Sequence, residues 1–413
     1  MRGRRTGRGL LLLGALAAMA ALVLPQSSSA APARVTFGIL GAFTGIHSNV
    51  GPAILEGGRA AQAAINEAGG ILGRRLEFAQ ADTQSDAADA VPAINKLIGA
   101  DHIFALLGPT STELYAIQPI VDKNHVPTMF FGGIIAFDSN TDPWIWRPNP
   151  SDSQLSVAMA VYALKKGYKR AAMMFYTDIT SQALKAPIAK TFERGGGKIV
   201  ADVRLTPGQT SYRSEVQRVV NAHPDVIFTQ TDSGTAAVLY ANFREIDNLA
   251  IPFIGTDFTA GGEYVKAITP EVAHKVLVSL QGATTPGQAG DVFLKYYQKL
   301  YTHQPLASAN YSYDAGIVLA LAITKAGAFD PYKVIASIPA VSNPPGARCF
   351  DYATCLGLLR AGKKINYEGA SGPVDFDKTH NVTGPFDVVQ VGTDGEEHTI
   401  MTITAAEMEK AER

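Results

Sequence analysis

The sequence predicts an α/β protein built as two doubly wound lobes, with a hinge and a ligand cleft between them. Three observations carry this expectation. The chain has 413 residues, more than one hydrophobic core usually serves. Short β-rich runs alternate with helix-like segments from Arg34, and the alternation restarts at Ser151. No Gly/Ser-rich linker separates the two runs, because 144–150 leads directly from one into the other; units joined in that way hinge and do not drift apart.

In the first run, 35–40 reads as a strand and 41–51 as a glycine-rich turn. Residues 52–68 read as a helix with Ile54, Gly58, Ala61 and Ile65 on one face, ended by Gly69-Gly70. A strand at 76–81, a helix at 86–98, an all-apolar strand at 103–107, a helix at 111–123 and a strand at 128–131 follow. The second run opens with Ser151-Asp152-Ser153-Gln154, a capping-box pattern for a helix reaching Lys166. Strands are expected at 171–176, 199–205, 226–229, 253–256 and 276–280, with helices between them, including one at 180–194. Segments 288–301 and 309–326 read as helices. Val374 and Phe376, then Val388, Val389 and Val391, read as terminal strands.

The first thirty residues are a separate object. Arg2, Arg4, Arg5 and Arg8 precede an apolar run at 10–24, and small residues lead to Ala30. This is the pattern of a secretory signal peptide cleaved near Ala30, and its apolar part is short for a membrane span of about 20 residues. Loss of 1–30 takes four arginines and no acids from a chain of net charge −1, leaving −5. That balance argues against nucleic acid as a partner. The expected location is the periplasm, with no cysteine at the signal's end to carry a lipid anchor. In an oxidising compartment Cys349 and Cys355 are expected to pair as a small loop disulfide.

Open α/β sheets bind ligands beyond the C-terminal ends of their strands. After the strand at 103–107 comes Gly108-Pro109-Thr110-Ser111-Thr112-Glu113, where Thr110 and Glu113 fit a capping box. Ser111 and Thr112 then fall in a first helical turn, whose free N–H groups favour an anionic or strongly polar group; a plain helix cap has the same pattern. Gly132-Gly133 follows the next strand. In the second run Asp178, Asp232 and Asp257 each follow a strand, where each is either a helix cap or a cleft carboxylate. The chain has no Gly-x-Ser-x-Gly elbow, no P-loop and no His-Glu-x-x-His, and its His residues are scattered, with His47 alone near the cleft mouth. No catalytic residue, metal or cofactor is expected.

Four segments carry a specific resemblance: Asn-Glu-Ala-Gly-Gly-Ile-Leu-Gly from Asn66, Leu-Leu-Gly-Pro-Thr-Ser-Thr from Leu106, Trp-Arg-Pro-Asn-Pro-Ser-Asp-Ser-Gln from Trp146, and Gly-Ala-Ser-Gly-Pro-Val-Asp-Phe-Asp from Gly369. From about Val35 to Val391 the chain resembles the type I periplasmic solute-binding proteins of ABC transporters, in particular the branched-chain amino-acid binders. The resemblance implies that Thr112 offers a hydroxyl and N–H to a ligand carboxylate, Gly133 a carbonyl to an ammonium, and Asp257 the acid that pairs with it. Three positions depart from that pattern. Ile135 stands where the amino-acid binders have a threonine, Thr180-Ser181 where they have Tyr-Gly, and Asp232 where they have an aromatic residue. These departures argue against an ordinary branched-chain amino acid. Asp232 beside Asp257 would repel it and raise one carboxyl pKa unless a cation lay between, which suits an amine, amidine or amide.

The resemblance further implies a monomer that closes on a small-molecule solute and delivers it to a membrane ABC permease; a ligand-sensing partner of a membrane receptor is one alternative, and a hydrolase on the same fold another. The lobes expected are 34–148 plus 282–366 and 149–281 plus 367–413. The crossings fall near 148–150, 280–284 and 365–368.

Overall fold

The computed structural model describes residues 33–413 except 46–47, 49, 247–248 and 284–286, so the expected signal segment and His47 lie outside the described residues. Five parallel strands form the first sheet: β1 (Arg34–Gly41), β2 (Arg75–Asp82), β3 (Ala105–Leu107), β4 (Thr128–Met129) and β5 (Ile145–Trp146), in the order β2-β1-β3-β4-β5. Helices α1 (Val50–Glu67), α2 (Ala87–Gly99) and α3 (Ser111–Asn124) connect them. Asp86 caps α2 by accepting from the N–H groups of Ala88 and Asp89. Every residue of β3 is buried, as a strand covered on both faces must be.

The second sheet starts after α4 (Asp152–Lys165) with five parallel strands: β6 (Arg170–Tyr176), β7 (Lys198–Leu205), β8 (Val226–Gln230), β9 (Phe253–Gly255) and β10 (Leu277–Gly282). The chain then returns to the first lobe. The Ala309–Ala326 helix packs on α1, with a Cβ at Gly57 falling 2.0 Å from the Ala309 carbonyl oxygen. A small sheet of β11 (Ala347–Cys349), β12 (Ile365–Gly369) and β13 (Gly372–Pro373) lies beside that helix and shares its core. Finally β14 (Phe386–Val391) pairs antiparallel with β10 and β15 (Glu397–Ile403) pairs with β14. The second sheet's order is β15-β14-β10-β9-β8-β6-β7.

The cores follow the sheets. Phe37, Ile39, Ala61, Trp146, Ile317, Leu321, Tyr367, Phe376 and Val382 share one core on the first sheet, and Leu40, Ile94, Leu106 and Phe130 cover its other face. Two further clusters, around Phe175 and Phe228 and around Tyr240 and Phe253, line the two faces of the second sheet. Passage between lobes runs through 147–151, beyond Gly282 at the end of β10, and through 382–386.

The third passage differs from the expected 365–368. Residues 367–382 belong to the first lobe: Ala370, Val374, Phe376 and Val382 are buried in its core, and Phe376 meets Trp146 edge-on at 5.3 Å. Val374 and Phe376 form no strand of a terminal sheet. The physical reason is Asp314 on the Ala309–Ala326 helix, which accepts from Tyr367 Oη at 2.7 Å, Ala370 N at 3.0 Å and Ser371 N at 2.8 Å. The passages touch: Arg147 N donates to His380 O at 2.8 Å, and Ala283 N to Pro385 O at 3.1 Å. The helix expected at 180–194 is two helices, Ile179–Ala183 and Lys185–Arg194, because Pro187 has no N–H to give to the carbonyl of Ala183.

Cys349 and Cys355 are bonded, with Cα atoms 5.4 Å apart, joining β11 to the Tyr352–Arg360 helix. Both are buried. Replacing both with serine is expected to cost about 2 kcal/mol, the loop-closure entropy of so short a ring, measured as a shift in urea midpoint at unchanged slope.

Candidate functional site

The strand order of each sheet reverses direction at one point, between β1 and β3 in the first and between β6 and β8 in the second, and that is where such folds hold ligands. In the first lobe the position is occupied by the turn from β3 into α3. Gly108 makes the turn with φ +100°, and a Cβ there would lie 1.9 Å from the Leu40 carbonyl oxygen, so only glycine fits. The expected capping box does not form. Thr110 makes no side-chain cap bond and donates its hydroxyl to Glu113. Glu113 turns inward, 1% exposed, and also accepts from Thr83 Oγ1 at 2.9 Å. The α3 first turn is therefore left without a side-chain cap at the mouth of the cleft. Thr112 is exposed there and Ser111 half-buried.

Ser111 is tied to the loop after β4, its Oγ accepting from Ile134 N at 3.2 Å. Gly133 and Ile135 lie in that loop, both half-buried, and Ile135 opens a 3-10 turn. The loop is clamped from behind by Arg147, a residue the sequence reading did not single out. Arg147 is 2% exposed; it donates to the carbonyls of Gly133 at 3.3 Å and Ile134 at 3.1 Å and pairs with Asp138 at 2.5 Å. Asp152, the first residue of α4, donates its N–H to Gly133 O at 2.7 Å. The Gly133 carbonyl is thus already engaged from two sides.

In the second lobe the three aspartates behave differently. Asp178 caps the Ile179–Ala183 helix, accepting from Ser181 N at 2.9 Å and from Thr180 Oγ1 at 2.5 Å, and these bonds hold its carboxyl below the ordinary range despite partial burial. Asp232 caps the Ser233–Glu245 helix through Thr235 N at 2.8 Å and accepts from Tyr176 Oη across the β6–β8 switch. Its pKa is lowered too, with those bonds outweighing desolvation. The expected mutual repulsion of Asp232 and Asp257 is therefore not what the structure has. Asp257, at the end of β9, stands open to water in the cleft with protein around it on all sides, and that enclosure raises its carboxyl to about 6. The carboxylate it repels is Asp152, raised to about 7 by burial first and by Asp257 second.

Two large apolar residues flank these acids at the same strand ends: Ile179 is 83% exposed and Phe258 50%. Tyr311, from the Ala309–Ala326 helix, completes the wall. It is 5% exposed, and its Oη fills the space a Gly282 side chain would need. Ser111 and Gly133 are thus tied to one loop, Gly133 to Asp152, and Asp152 feels the charge of Asp257, while Asp178, which holds Thr180, and Asp232 are helix caps. Asp152 and Arg147 lie inside a segment the sequence had marked by resemblance only. Tyr311 lies in a helix buried nearly all round, where its hydroxyl gives no sequence signal.

Two open sheets, each with its switch-point loops on a shared crevice and three passages between them, define a two-lobed binding protein. Residues 34–396 match the periplasmic binding protein family, and the chain belongs to it. It is 23% identical to the Leu/Ile/Val-binding protein homolog 3 of Brucella melitensis biotype 1 over 368 residues, 87% of this chain and 92% of that one. The leucine binding protein of Thermotoga maritima superposes with a TM-score of 0.74 at 22% identity, covering 90% of this chain and 99% of its own. An ABC-transporter solute-binding protein of R. palustris in complex with benzoate gives 0.70 at 19% identity, covering 90% and 96%. These structural likenesses establish the type I periplasmic binding fold.

Proposed function

We propose that this chain is the extracytoplasmic solute-binding component of an ABC importer, which closes its two lobes over a small polar solute and presents the closed form to a membrane permease. What supports the reading is the N-terminus of α3, left without a side-chain cap after β3, together with the enclosed carboxyl of Asp257 after β9, which we read as facing one crevice. The helix end takes an anionic or carbonyl group on Ser111 and Thr112, and Asp257 takes a donor-rich group. Ile179 and Phe258, exposed in the open crevice, are apolar surface that closure would cover. The relatives bind solutes as different as leucine and benzoate by their names, so the fold sets the class and the cleft side chains set the ligand.

The test is a thermal-shift screen of amino acids, amides, polyamines and aromatic acids, followed by calorimetry on the solute found. At about a thousand times its Kd a true ligand adds roughly 4 kcal/mol of stability. Asp257→Asn is expected to weaken binding by about 30-fold or more, with Thr112→Ala a smaller loss. Equal affinity in both variants would place the solute elsewhere.

A further inference from the structure

Glu113 is a buried carboxylate in the first turn of α3, 1% exposed. Among the described residues its hydrogen-bond partners are two neutral hydroxyls, Thr83 Oγ1 at 2.9 Å and Thr110 Oγ1. Burying an acid on neutral donors costs stability that an apolar side chain in the same place would not. Packing therefore does not account for the residue.

Another helix of the chain shows what the same residue pair does when nothing draws the acid inward. Thr404 and Glu407 have the spacing of Thr110 and Glu113, and at the start of the Ala405–Glu412 helix they form a full capping box. Glu407 N donates to Thr404 Oγ1 at 3.2 Å, and Thr404 N donates to Glu407 Oε2 at 2.9 Å. The backbone is extended at both cap positions, with φ −80°, ψ 156° at Thr404 and φ −96°, ψ −175° at Thr110. Thr110 is thus already placed to cap, and its hydroxyl is what turns away.

Both hydroxyls donate to the glutamate three residues on, so that bond does not prevent a cap. The difference lies at the other carboxylate oxygen. In Glu407 it meets Lys165 at the surface, at 2.5 Å. In Glu113 it is held by Thr83, fully buried just past β2 and itself fixed by donating its N–H to Gly41 O at 3.0 Å. This tether draws the acid into the lobe, and the Thr110 hydroxyl follows it off the first-turn N–H groups.

We propose that Glu113, anchored by Thr83, is a positioning residue: it withholds Thr110 from capping α3 and so leaves the first-turn N–H groups free for the solute. The consequence for binding rests on the crevice being the solute site. An N-cap hydroxyl accepts from the second or third N–H of its helix, here that of Thr112 or Glu113. A solute would have to displace such a cap, and its apparent affinity would fall with the fraction of molecules left uncapped.

The experiment compares amide–solvent exchange by NMR in the full chain with that in Glu113→Leu and in Thr83→Val, either of which frees Thr110. In each, the amide of residue 112 or 113 should exchange about fivefold more slowly, the factor of an ordinary N-cap bond. Adding Thr110→Val to Glu113→Leu removes the hydroxyl and should restore fast exchange. This measurement needs no ligand, and unchanged exchange in both single variants overturns the proposal. Calorimetry with two carboxylate probes, L-leucine and benzoate, reads the consequence. A probe that binds should lose about fivefold in Glu113→Leu and recover in the double variant, although Thr110→Val adds no bond. Further loss in the double variant would make Glu113 merely structural and overturns the positioning role. If exchange is unchanged while Thr112→Ala weakens a probe, the crevice reading stands and this inference falls. If exchange slows while a bound probe keeps its affinity in every variant, the withheld cap stands and the crevice reading falls.

Discussion

Replacing Arg147 with methionine is expected to destabilise the protein by about 3–5 kcal/mol, the usual result of removing one partner of a buried ion pair. Asp138 would keep Ser153 as a donor, at 2.5 Å, but lose its counter-charge. The carbonyls of Gly133 and Ile134 would each lose a donor. Because the loop at 133–135 would keep only the Asp152 N–H on Gly133 O of its backbone ties to this passage, solute affinity should fall with stability. Arg147→Lys should lie between, since a single ammonium cannot reach two carbonyls and a carboxylate as the planar fork does. Removing both charges with Asp138→Leu in the Arg147→Met background should recover part of the loss. Chemical denaturation of the four proteins checks the order.

Asp314→Ala is the second large effect, about 4 kcal/mol. The carboxylate is fully buried, and burial raises its pKa while the bonds it accepts pull it back. It takes hydrogen bonds from Tyr367 Oη, Ala370 N, Ser371 N and Ser371 Oγ, the last at 2.5 Å. Truncation leaves several buried donors unpaired at about 1–3 kcal/mol each, softened by relaxation. The expected drop in melting temperature is on the order of 10 °C. Asp314→Asn keeps two acceptor sites but turns an NH2 toward donors, so it should cost less than alanine and more than a surface change. If alanine matched the wild type, residues 367–371 would be held by packing alone.

The repeated β-α rhythm made most of the architecture legible in the sequence. Apolar runs such as those of β1, β3 and β6 have no other use than buried strands, and the helix expected at 309–326 is found there. What was not legible depended on distant side chains. Nothing around Gly369 reveals that a buried acid 55 residues earlier in the chain keeps the segment in the first lobe, so the third passage was placed too early. At Thr110 the local pattern fits a capping box, yet the carboxylate that should complete it is drawn inward by Thr83, from another strand end. Likewise three aspartates at equivalent strand ends looked alike. Two are caps in the structure, and the one facing water in the crevice is matched by Asp152, which local patterning assigned to a helix start.

The route of the chain through its two sheets also orders its folding in time. The first core is incomplete without residues up to Val382. In the second sheet β10 keeps one edge unpaired until Phe386–Val391 arrives. As the chain lengthens, neither half can finish before nearly all of it is present, and β10 waits for a partner more than a hundred residues downstream. Long-range closures of that kind slow folding and keep strand edges exposed meanwhile. A chain cut at residue 385 would therefore lack β14 and β15 altogether, leaving β10 as a bare edge open to strands of other molecules.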